Sequence, residues 1–418
     1  MNLQPSFLFL VLASIVVILV CCRVVGRLFG MVGQPQVIGE MVAGIILGPL
    51  LFGSLFPGFM SHLYTPEVKS VLYAISNIGL TIYMFLIGLE LDTKSLNRGQ
   101  LVRSGVLAAS GLVLPFILGI VTALCLYQTV LTTDSSLLTV SLFFGVAFSV
   151  TAFPVLSRIL EEKGLLRTKM GSLVLMAASF DDALAWCLLA IVTSLATAQS
   201  AYGGLGSLGL CLCLVLVLFF VVRPILKRLD RSPDNKLTAG LFATVIMLLL
   251  ATGAAADYIG VHSVFGAFLL GLSIPRSATY MKLEEKLKDM VNILFVPIFF
   301  AYAGMSMNIK NISTGLLIAF SLIFFMAVLG KYGGCSFTMR RMGFSWREAS
   351  AAGGLMNAKG TMGLIIANIG FTYGIIDQSM YSLFVLLAVI TSVMAVIIYN
   401  LSIAEKGDSY YLFSKRVG

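Results

Sequence analysis

Thirteen apolar stretches, each close to the length that crosses a bilayer, follow one another along this chain of 418 residues. A membrane-spanning α-helix needs about 20 mostly apolar residues, and lipid accepts only segments that satisfy their own backbone polar groups. The sequence therefore predicts an all-α polytopic membrane protein with thirteen transmembrane helices, of which the ninth is short. We place them at residues 6–26, 36–53, 68–91, 101–127, 136–159, 170–198, 205–226, 237–258, 261–275, 289–308, 312–338, 347–371 and 379–403.

The composition excludes a soluble globular protein. Hydrophobic residues make up 59% of the chain and charged residues 11%, against roughly 45–50% and about 25% in soluble domains. The seven cysteines form no CxxC pair and no metal-ligand spacing, so they are interpreted as small buried hydrophobes. No cofactor is predicted.

The basic residues predict the orientation in the membrane. Of the 28 Lys and Arg residues, all but four fall beside or between the apolar stretches on one side. The exceptions are Lys69 and Lys310 on the other side and Lys331 and Lys359 inside apolar stretches. The positive-inside rule then puts the N-terminus outside, and residues 404–418 form a short cytoplasmic tail. The net charge of +9 is thus a topology signal, and no nucleic-acid partner is needed to explain it.

Two pairs of short strings indicate an internal repeat. The string from Tyr83 to Lys94 is similar to that from Phe299 to Lys310, which aligns Gly88 with Gly304, and residues 43–48 are similar to 266–271. Each match is offset by seven apolar stretches, an odd number, so the halves would be inverted in the bilayer, as in many secondary transporters. We predict one unit over 1–403, with a first repeat at 6–198, a linker helix at 205–226 and an inverted second repeat at 237–403. Chance similarity between glycine-rich apolar helices is the alternative.

The fifth and twelfth stretches carry residues that break helices. The fifth contains Pro154, which removes a backbone donor, with the hydroxyls of Ser149 and Thr151 available to bond the freed carbonyls. The twelfth contains four glycines around Asn357 and Lys359. We expect both helices to be unwound there.

Two adjacent carboxylates, Asp181 and Asp182, interrupt the sixth stretch. Ionisable groups inside a membrane cost a few kcal/mol each on insertion scales and by default mark an ion path, a proton relay or a binding site. Neighbouring helical residues point about 100° apart, which excludes the facing carboxylates of an intramembrane aspartyl protease and predicts separate roles. Such a site can titrate near physiological pH, so that a proton and a cation compete for it. The alternative is that both carboxylates bond neighbouring backbone.

The two lysines inside the membrane need negative partners. Lys359 is too deep to reach an interface, so the carbonyl ends of two half-helices are expected to surround it. Lys331 either extends to the cytoplasmic interface or pairs with a carboxylate of the sixth stretch. Glu40 either lines the entrance of the ion path or reaches the interface, and His262, in an extracellular linker, is a weak candidate pH sensor.

Three strings identify the chain as similar to the monovalent cation:proton antiporter superfamily, nearest to plant cation/H⁺ exchangers and their bacterial relatives. They are residues 34–49, 149–160 and 356–360. The resemblance implies a thirteen-helix, inverted-repeat homodimer in which two unwound helices, the fifth and the twelfth, cross beside the acidic pair. It implies that Asp182 binds the cation or protons, that Lys331 pairs with Asp181, and that Lys359 belongs to an Asn-Thr-Lys-Gly motif in which Ala358 here replaces Thr.

Residues and resemblance together predict a transporter rather than an enzyme. The expected activity is exchange of Na⁺ or K⁺ for protons across the cell membrane by alternating access, with net charge movement. Asp182, Asp181, Ser149 and Thr151 would bind the ions, Lys331 and Lys359 would be the charge partners, and Asn357, Pro154 and Glu40 would support the site. The alternatives are a proton-independent cation channel on the same fold and an organic-anion symporter, which would need a further cationic pocket.

Overall fold

The computed structural model describes residues 6–48, 51–90, 98–127, 135–165, 168–197, 201–229, 237–259, 262–275, 277–307 and 314–403. These residues form α-helices and three π-helical turns, and no strand occurs among them. The α-helices are α1 (Phe7–Met31), α2 (Gln36–Leu47), α3 (Phe52–Leu55), α4 (Pro57–Leu63), α5 (Pro66–Glu90), α6 (Arg98–Leu126), α7 (Leu137–Ser149), α8 (Phe153–Glu162), α9 (Lys169–Thr197), α10 (Ala201–Val217), α11 (Arg223–Leu229), α12 (Ala239–Ile259), α13 (Ser263–Ser273), α14 (Ala278–Met290), α15 (Val296–Met305), α16 (Thr314–Val328), α17 (Gly334–Arg341), α18 (Trp346–Met356), α19 (Gly360–Thr372) and α20 (Gln378–Ile403).

The all-helical membrane fold is confirmed. Within the described ranges, ten helices are long and apolar enough to cross a membrane. Each of the thirteen predicted stretches overlaps a helix or a helix broken in two. The ninth is short, as expected, because α13 has 11 residues.

The fifth and twelfth stretches are both interrupted, as their sequences indicate. Residues 150–152 separate α7 from α8, and residues 357–359 separate α18 from α19. The two interruptions meet, because the Ala152 N–H donates to the Ala358 carbonyl at 2.8 Å. The Thr151 hydroxyl also donates to the Met356 carbonyl at 2.8 Å. Backbone groups freed in one broken helix are thus satisfied by the other, which is how unwound backbone is tolerated inside a membrane protein.

The predicted start of the tenth stretch, residue 289, is wrong. The helix begins at Ala278, and α14 continues into α15 through the π-helical turn Val291–Phe295. The first part of α14 is amphipathic: Leu283 and Leu287 are buried, whereas Lys282 is exposed. A search for uniformly apolar sequence misses the start of an amphipathic helix, because only one face of the helix is apolar.

The helices pack in two groups. The glycine-packed group consists of α1, α2, α5, α12, α13 and α15, and the crossing group consists of α6 to α9 and α16 to α20. The helix formed by α10 and α11 contacts both α9 and α12. The crossing group contains both broken helices and the acidic pair.

Glycines bring backbones into contact within the glycine-packed group. A Cβ added to Gly48, which directly follows α2, would lie 2.4 Å from the Gly304 carbonyl oxygen of α15. One added to Gly271 of α13 would lie 2.9 Å from the Gly88 Cα of α5. Small residues allow such close helix contacts in membranes. In the predicted sequence repeat, Gly48 aligns with Gly271 and Gly304 aligns with Gly88. The contact between Gly48 and Gly304 therefore joins the counterparts of the two glycines in the other contact.

Candidate functional site

Asp181 and Asp182 lie near the middle of α9, and both are buried, with exposed fractions of 1% and 0%. Helix α9 packs against α6, α7, α8 and α18, so both broken helices surround it. The two carboxylates have different partners. The surroundings of the two carboxylates therefore differ, and their separate roles stay a prediction.

Asp181 forms a buried ion pair with Lys331. The Lys331 Nζ donates to Asp181 Oδ2 at 2.6 Å, and both side chains are fully buried. The Thr151 hydroxyl lies 3.1 Å from the same carboxylate oxygen. Lys331 therefore does not extend to the interface. A buried pair of this kind holds together because each charge offsets the other's desolvation cost.

Lys331 lies on the π-helical turn Leu329–Gly333, between α16 and α17. Its Nζ also donates to the Gly111 carbonyl at 2.8 Å and to the Ser149 carbonyl. One ammonium group thus joins α6, the end of α7 and α9. A side chain at Gly111 would crowd the ammonium, because an added Cβ would lie 2.9 Å from Cys335 Sγ and 3.3 Å from the Lys331 Nζ.

Among the described residues, Asp182 forms no ion pair at contact distance. Its Oδ2 accepts the Phe153 N–H at 3.3 Å, at the first residue of α8. Its Oδ1 is buried without a hydrogen-bond partner in the described structure. The N-terminal end of a helix carries partial positive charge, so α8 offers modest compensation to the carboxylate. Oδ1 of Asp181 also lacks a hydrogen-bond partner in the described structure, so the two carboxylates differ in the lysine beside Asp181 and not in having an oxygen left for a ligand.

Lys359 lies against the carbonyl end of α7. Its Nζ donates to the Ala147 carbonyl at 3.1 Å and to the Phe148 carbonyl at 2.5 Å. Carbonyls from two half-helix ends are predicted to surround Lys359, but in the described structure only α7 supplies them. Near the end of α18, the Gly353 and Gly354 carbonyls accept the Asn357 N–H. The partial negative charge of a helix C-terminus stabilises a nearby cation.

Gly360, next to Lys359, must be glycine for two reasons. Its φ is +43°, a region that other residues rarely adopt, and an added Cβ would lie 2.6 Å from Val155 Cγ2 and 2.9 Å from Ala152 Cβ. The start of α19 is thus in direct contact with the unwound stretch and the first turn of α8.

The other predicted site residues lie in different places. The Ser149 hydroxyl donates to the carbonyls of Leu112 and Gly145, so this residue meets Lys331 through its backbone oxygen. The Asn357 side chain is fully buried at the crossing, and neither its Oδ1 nor its Nδ2 has a hydrogen-bond partner among the described residues. Pro154 is the second residue of α8.

Glu40 and His262 lie outside the crossing group. Glu40 is 7% exposed on α2, which packs mainly against α1 and α15. His262 is buried at the N-terminus of α13, where its Nδ1 accepts the Val264 N–H at 3.3 Å. The interpretation of His262 as a linker residue is wrong, because its ring caps a helix.

Several groups at the site are not predicted by the sequence analysis. The Gly111 carbonyl and the Phe153 N–H are backbone groups whose placement depends on the fold. Cys335 and Thr361 are side chains that are buried in or beside the site. Thr361 directly follows the string of residues 356–360, and that proximity is the one signal that could have found it.

The ligand atoms that the crossing offers are oxygen atoms. No cluster of three or more His, Cys, Asp or Glu residues occurs in the part of the chain that the structure describes. The cysteines are free thiols. Oxygen atoms of Asp182, of hydroxyls and of freed carbonyls surround the crossing, and hard cations prefer oxygen ligands. The arrangement can hold either a proton or a small cation on a carboxylate.

Comparisons with known proteins identify relatives over nearly the whole chain. The sodium/hydrogen exchanger transmembrane family matches residues 10–400. The Na(+)/H(+) antiporter NhaS4 of Synechocystis is 37% identical over 401 residues, which is 94% of this chain and 97% of that protein. Cation/H(+) antiporter 17 of Arabidopsis thaliana is 36% identical, and K(+)/H(+) antiporter 1 of Saccharomyces cerevisiae is 32% identical. They align with 92% and 93% of this chain, which spans about half of their length (47% and 46%).

The fold is also similar to a solved structure. The sodium proton antiporter MjNhaP1 from Methanocaldococcus jannaschii superposes with a TM-score of 0.61 over 94% of this chain and 97% of that one. The sequence identity is 16%, so this comparison bears on the fold alone.

Proposed function

This chain belongs to the sodium/hydrogen exchanger family, and we propose from that premise that it exchanges Na⁺ or K⁺ for protons by alternating access. Its relatives of known name are Na⁺/H⁺, K⁺/H⁺ and cation/H⁺ antiporters. The protein is a multi-pass membrane transporter. Antiport also gives a role to the two buried carboxylates, Asp181 and Asp182. Their contacts leave one oxygen of each without a hydrogen-bond partner in the described structure.

The observation that carries the proposal is the contrast between the two carboxylates. Asp181 is paired with Lys331 at 2.6 Å, whereas Asp182 accepts one backbone N–H and forms no ion pair among the described residues. Each carboxylate keeps a buried Oδ1 without a hydrogen-bond partner there. A buried carboxylate without a cation is stabilised either by a proton or by a metal ion. Protons and cations therefore compete for Asp182, and this competition couples their opposite flows.

The cation would be held by oxygen atoms around the crossing. Asp182 Oδ1 supplies the charge, and Thr151 lies beside the pair, with its hydroxyl 3.1 Å from Asp181 Oδ2. Asn357 offers a carbonyl-type oxygen in the same unwound region. Lys359 fixes the end of α7 and stays bound to carbonyls. Pro154 and Gly360 shape the two crossing backbones.

Asp181 and Lys331 would add a second proton to the cycle. When Asp181 takes up a proton, its ion pair with Lys331 is broken, and when the proton leaves, the pair forms again. Exchange of two protons for one cation moves one net charge, worth about 2.3 kcal/mol per 100 mV. The proposal is therefore electrogenic antiport.

Three further features follow from the sequence and the resemblance. The asymmetry of basic residues supports an external N-terminus and a cytoplasmic C-terminus in the cell membrane. The exchange of contacts between Gly48, Gly88, Gly271 and Gly304 supports two inverted repeats at 6–198 and 237–403. A homodimer rests on the resemblance alone. Both buried lysines are engaged with carbonyl or carboxylate oxygens, so neither supports an anion-binding symporter.

A pH gradient alone should drive cation uptake. In proteoliposomes with equal cation concentrations on both sides and an acidic interior, with a lipophilic ion present to dissipate voltage, we expect tracer Na⁺ or Rb⁺ to accumulate as protons leave. A channel has no driving force under these conditions and would give no accumulation. Liposomes without protein provide the background rate.

A further inference from the structure

A proline interrupts the hydrogen bonding of α6 where that helix meets the acidic site. Pro115 lies inside α6 and is buried. In an α-helix the N–H of each residue donates to the carbonyl four residues earlier, and proline has no N–H. The Gly111 carbonyl, four residues before Pro115, therefore lacks its ordinary helical donor. Inside a membrane such a carbonyl needs a donor from elsewhere.

The donor that takes this place is the ammonium group of Lys331. The Lys331 Nζ lies 2.8 Å from the Gly111 carbonyl oxygen and 2.6 Å from Asp181 Oδ2. The lack of a side chain at Gly111 leaves room for both groups, since an added Cβ would lie 3.3 Å from the Nζ and 3.5 Å from Asp181 Oδ2. A carbonyl freed by a proline is thus one of the groups that hold the ion pair.

Pro115 also contacts the π-helical turn that carries Lys331. Gly330 lies directly against the proline, because a Cβ added to Gly330 would lie 2.7 Å from the Pro115 Cα. On the same turn of α6, the Leu112 carbonyl accepts the Ser149 hydroxyl at 2.9 Å. The Ser149 carbonyl is in turn another acceptor of the Lys331 ammonium. The backbone around the proline is therefore joined both to the lysine's own turn and to the end of α7.

We propose that Pro115 is a positioning residue for electrogenic exchange, because it leaves the Gly111 carbonyl free as an acceptor that stays with the Lys331 ammonium when Asp181 takes up a proton. In the proposed cycle, protonation of Asp181 removes the anionic partner of the ammonium. A buried charge without partners is strongly destabilised, so an acceptor that remains in place makes that step easier. The inference rests on the proposed antiport function and adds a residue that acts on the second proton.

The direction of the expected pH effect follows from the groups around Lys331. In the described structure it interacts electrostatically with Asp181 and Asp182 on α9, with Lys359 before α19 and with Cys335 on α17. Asp181 is the one of these four at contact distance. Loss of a carbonyl acceptor disfavours the state in which Asp181 is neutral and Lys331 is charged. Uptake of the second proton should then require a lower pH.

Pro115→Ala in the full-length protein tests this role, because alanine restores an N–H that competes with Lys331 for the Gly111 carbonyl. A hydrogen bond to a charged group corresponds to roughly one pH unit. The midpoint of the pH dependence of exchange, and of the transient current on a Na⁺ or K⁺ jump, should shift by about one unit toward acidic pH. Alanine is a far better helix former than proline, so the melting temperature should be equal or higher.

Two controls separate an effect on Lys331 from an effect on helix structure. Pro224→Ala also restores an N–H within a continuous helix, the one formed by α10 and α11 outside the crossing group, and it should leave the pH dependence unchanged. In the Asp181→Asn/Lys331→Gln background there is no ammonium at this position, so the addition of Pro115→Ala should cause no shift. Pro115→Gly, which restores the N–H without a side chain, replaces Pro115→Ala if the alanine variant does not fold.

The outcomes distinguish the role of Pro115 from the proposed function. Wild-type pH dependence in the folded Pro115 variant, with Asp182→Asn inactive, would overturn the role of Pro115 alone. An equal acidic shift in the background that lacks Lys331 would also overturn it, because the proline would then act through another group. Full activity of Asp182→Asn would instead contradict the site in the proposed function.

Discussion

Replacing Asp182 by Asn should abolish cation/proton exchange while leaving the fold intact. Asparagine has the same shape, and its Oδ1 can still accept the Phe153 N–H that Asp182 accepts at 3.3 Å. It carries no charge and takes up no proton. A unit charge about 4 Å from a cation contributes about 4 kcal/mol at an effective dielectric constant of 20, so cation affinity should fall roughly a thousandfold.

The matched control for this variant is Asp377→Asn. Asp377 accepts the Met380 N–H at 2.8 Å at the start of α20, and asparagine caps helices about as well as aspartate. Exchange is followed in everted vesicles as the collapse of a pH gradient when Na⁺ or K⁺ is added. We expect activity from Asp377→Asn and none from Asp182→Asn. Exchange by Asp182→Asn at the wild-type rate would remove Asp182 from the ion site.

Neutralising Asp181 and Lys331 together should convert the exchanger from electrogenic to electroneutral. Asp181→Asn alone leaves a buried ammonium, and loss of one partner of a buried pair costs about 3–5 kcal/mol. In Asp181→Asn/Lys331→Gln both charges are removed, and the glutamine amide can still donate to the Gly111 or the Ser149 carbonyl. We expect the double variant to be more stable than either single variant.

Currents recorded on solid-supported membranes distinguish the two modes of exchange. The wild-type protein should give a transient current on a cation concentration jump, and the double variant should give none while pH-coupled exchange continues more slowly. If the wild-type protein exchanges without current, two protons per cation is the wrong stoichiometry. A current of wild-type size in the double variant would show that the pair does not carry the extra charge.

Much of the fold follows from the sequence because a membrane restricts the choices. Apolar length specifies helices, and the few charges inside the bilayer leave Lys331 two options, the cytoplasmic interface or a carboxylate of the sixth stretch. Pro154 and the glycines around Lys359 predict the interruptions because each weakens a helix locally. The start of α14 was missed because charged residues on one face obscure the apolar face of an amphipathic helix.

The site is less predictable because it depends on helix rotation and backbone placement. Sequence places Asp181 and Asp182 about 100° apart but does not say which of them faces Lys331, and the resemblance supplied that assignment. The Ser149 hydroxyl has the expected type and position, yet it donates to two carbonyls, and its backbone oxygen meets Lys331 instead. The Phe153 N–H and the Gly111 carbonyl carry no side-chain signature at all.

The most direct test of competition at Asp182 is proton release on cation binding by the purified protein. In weakly buffered detergent solution with a pH indicator, Na⁺ or K⁺ should release protons from the wild-type protein in a saturable manner, and choline should release none. Asp182→Asn should release none with any of these salts. Equal proton release from the Asp182→Asn and wild-type proteins would contradict the account.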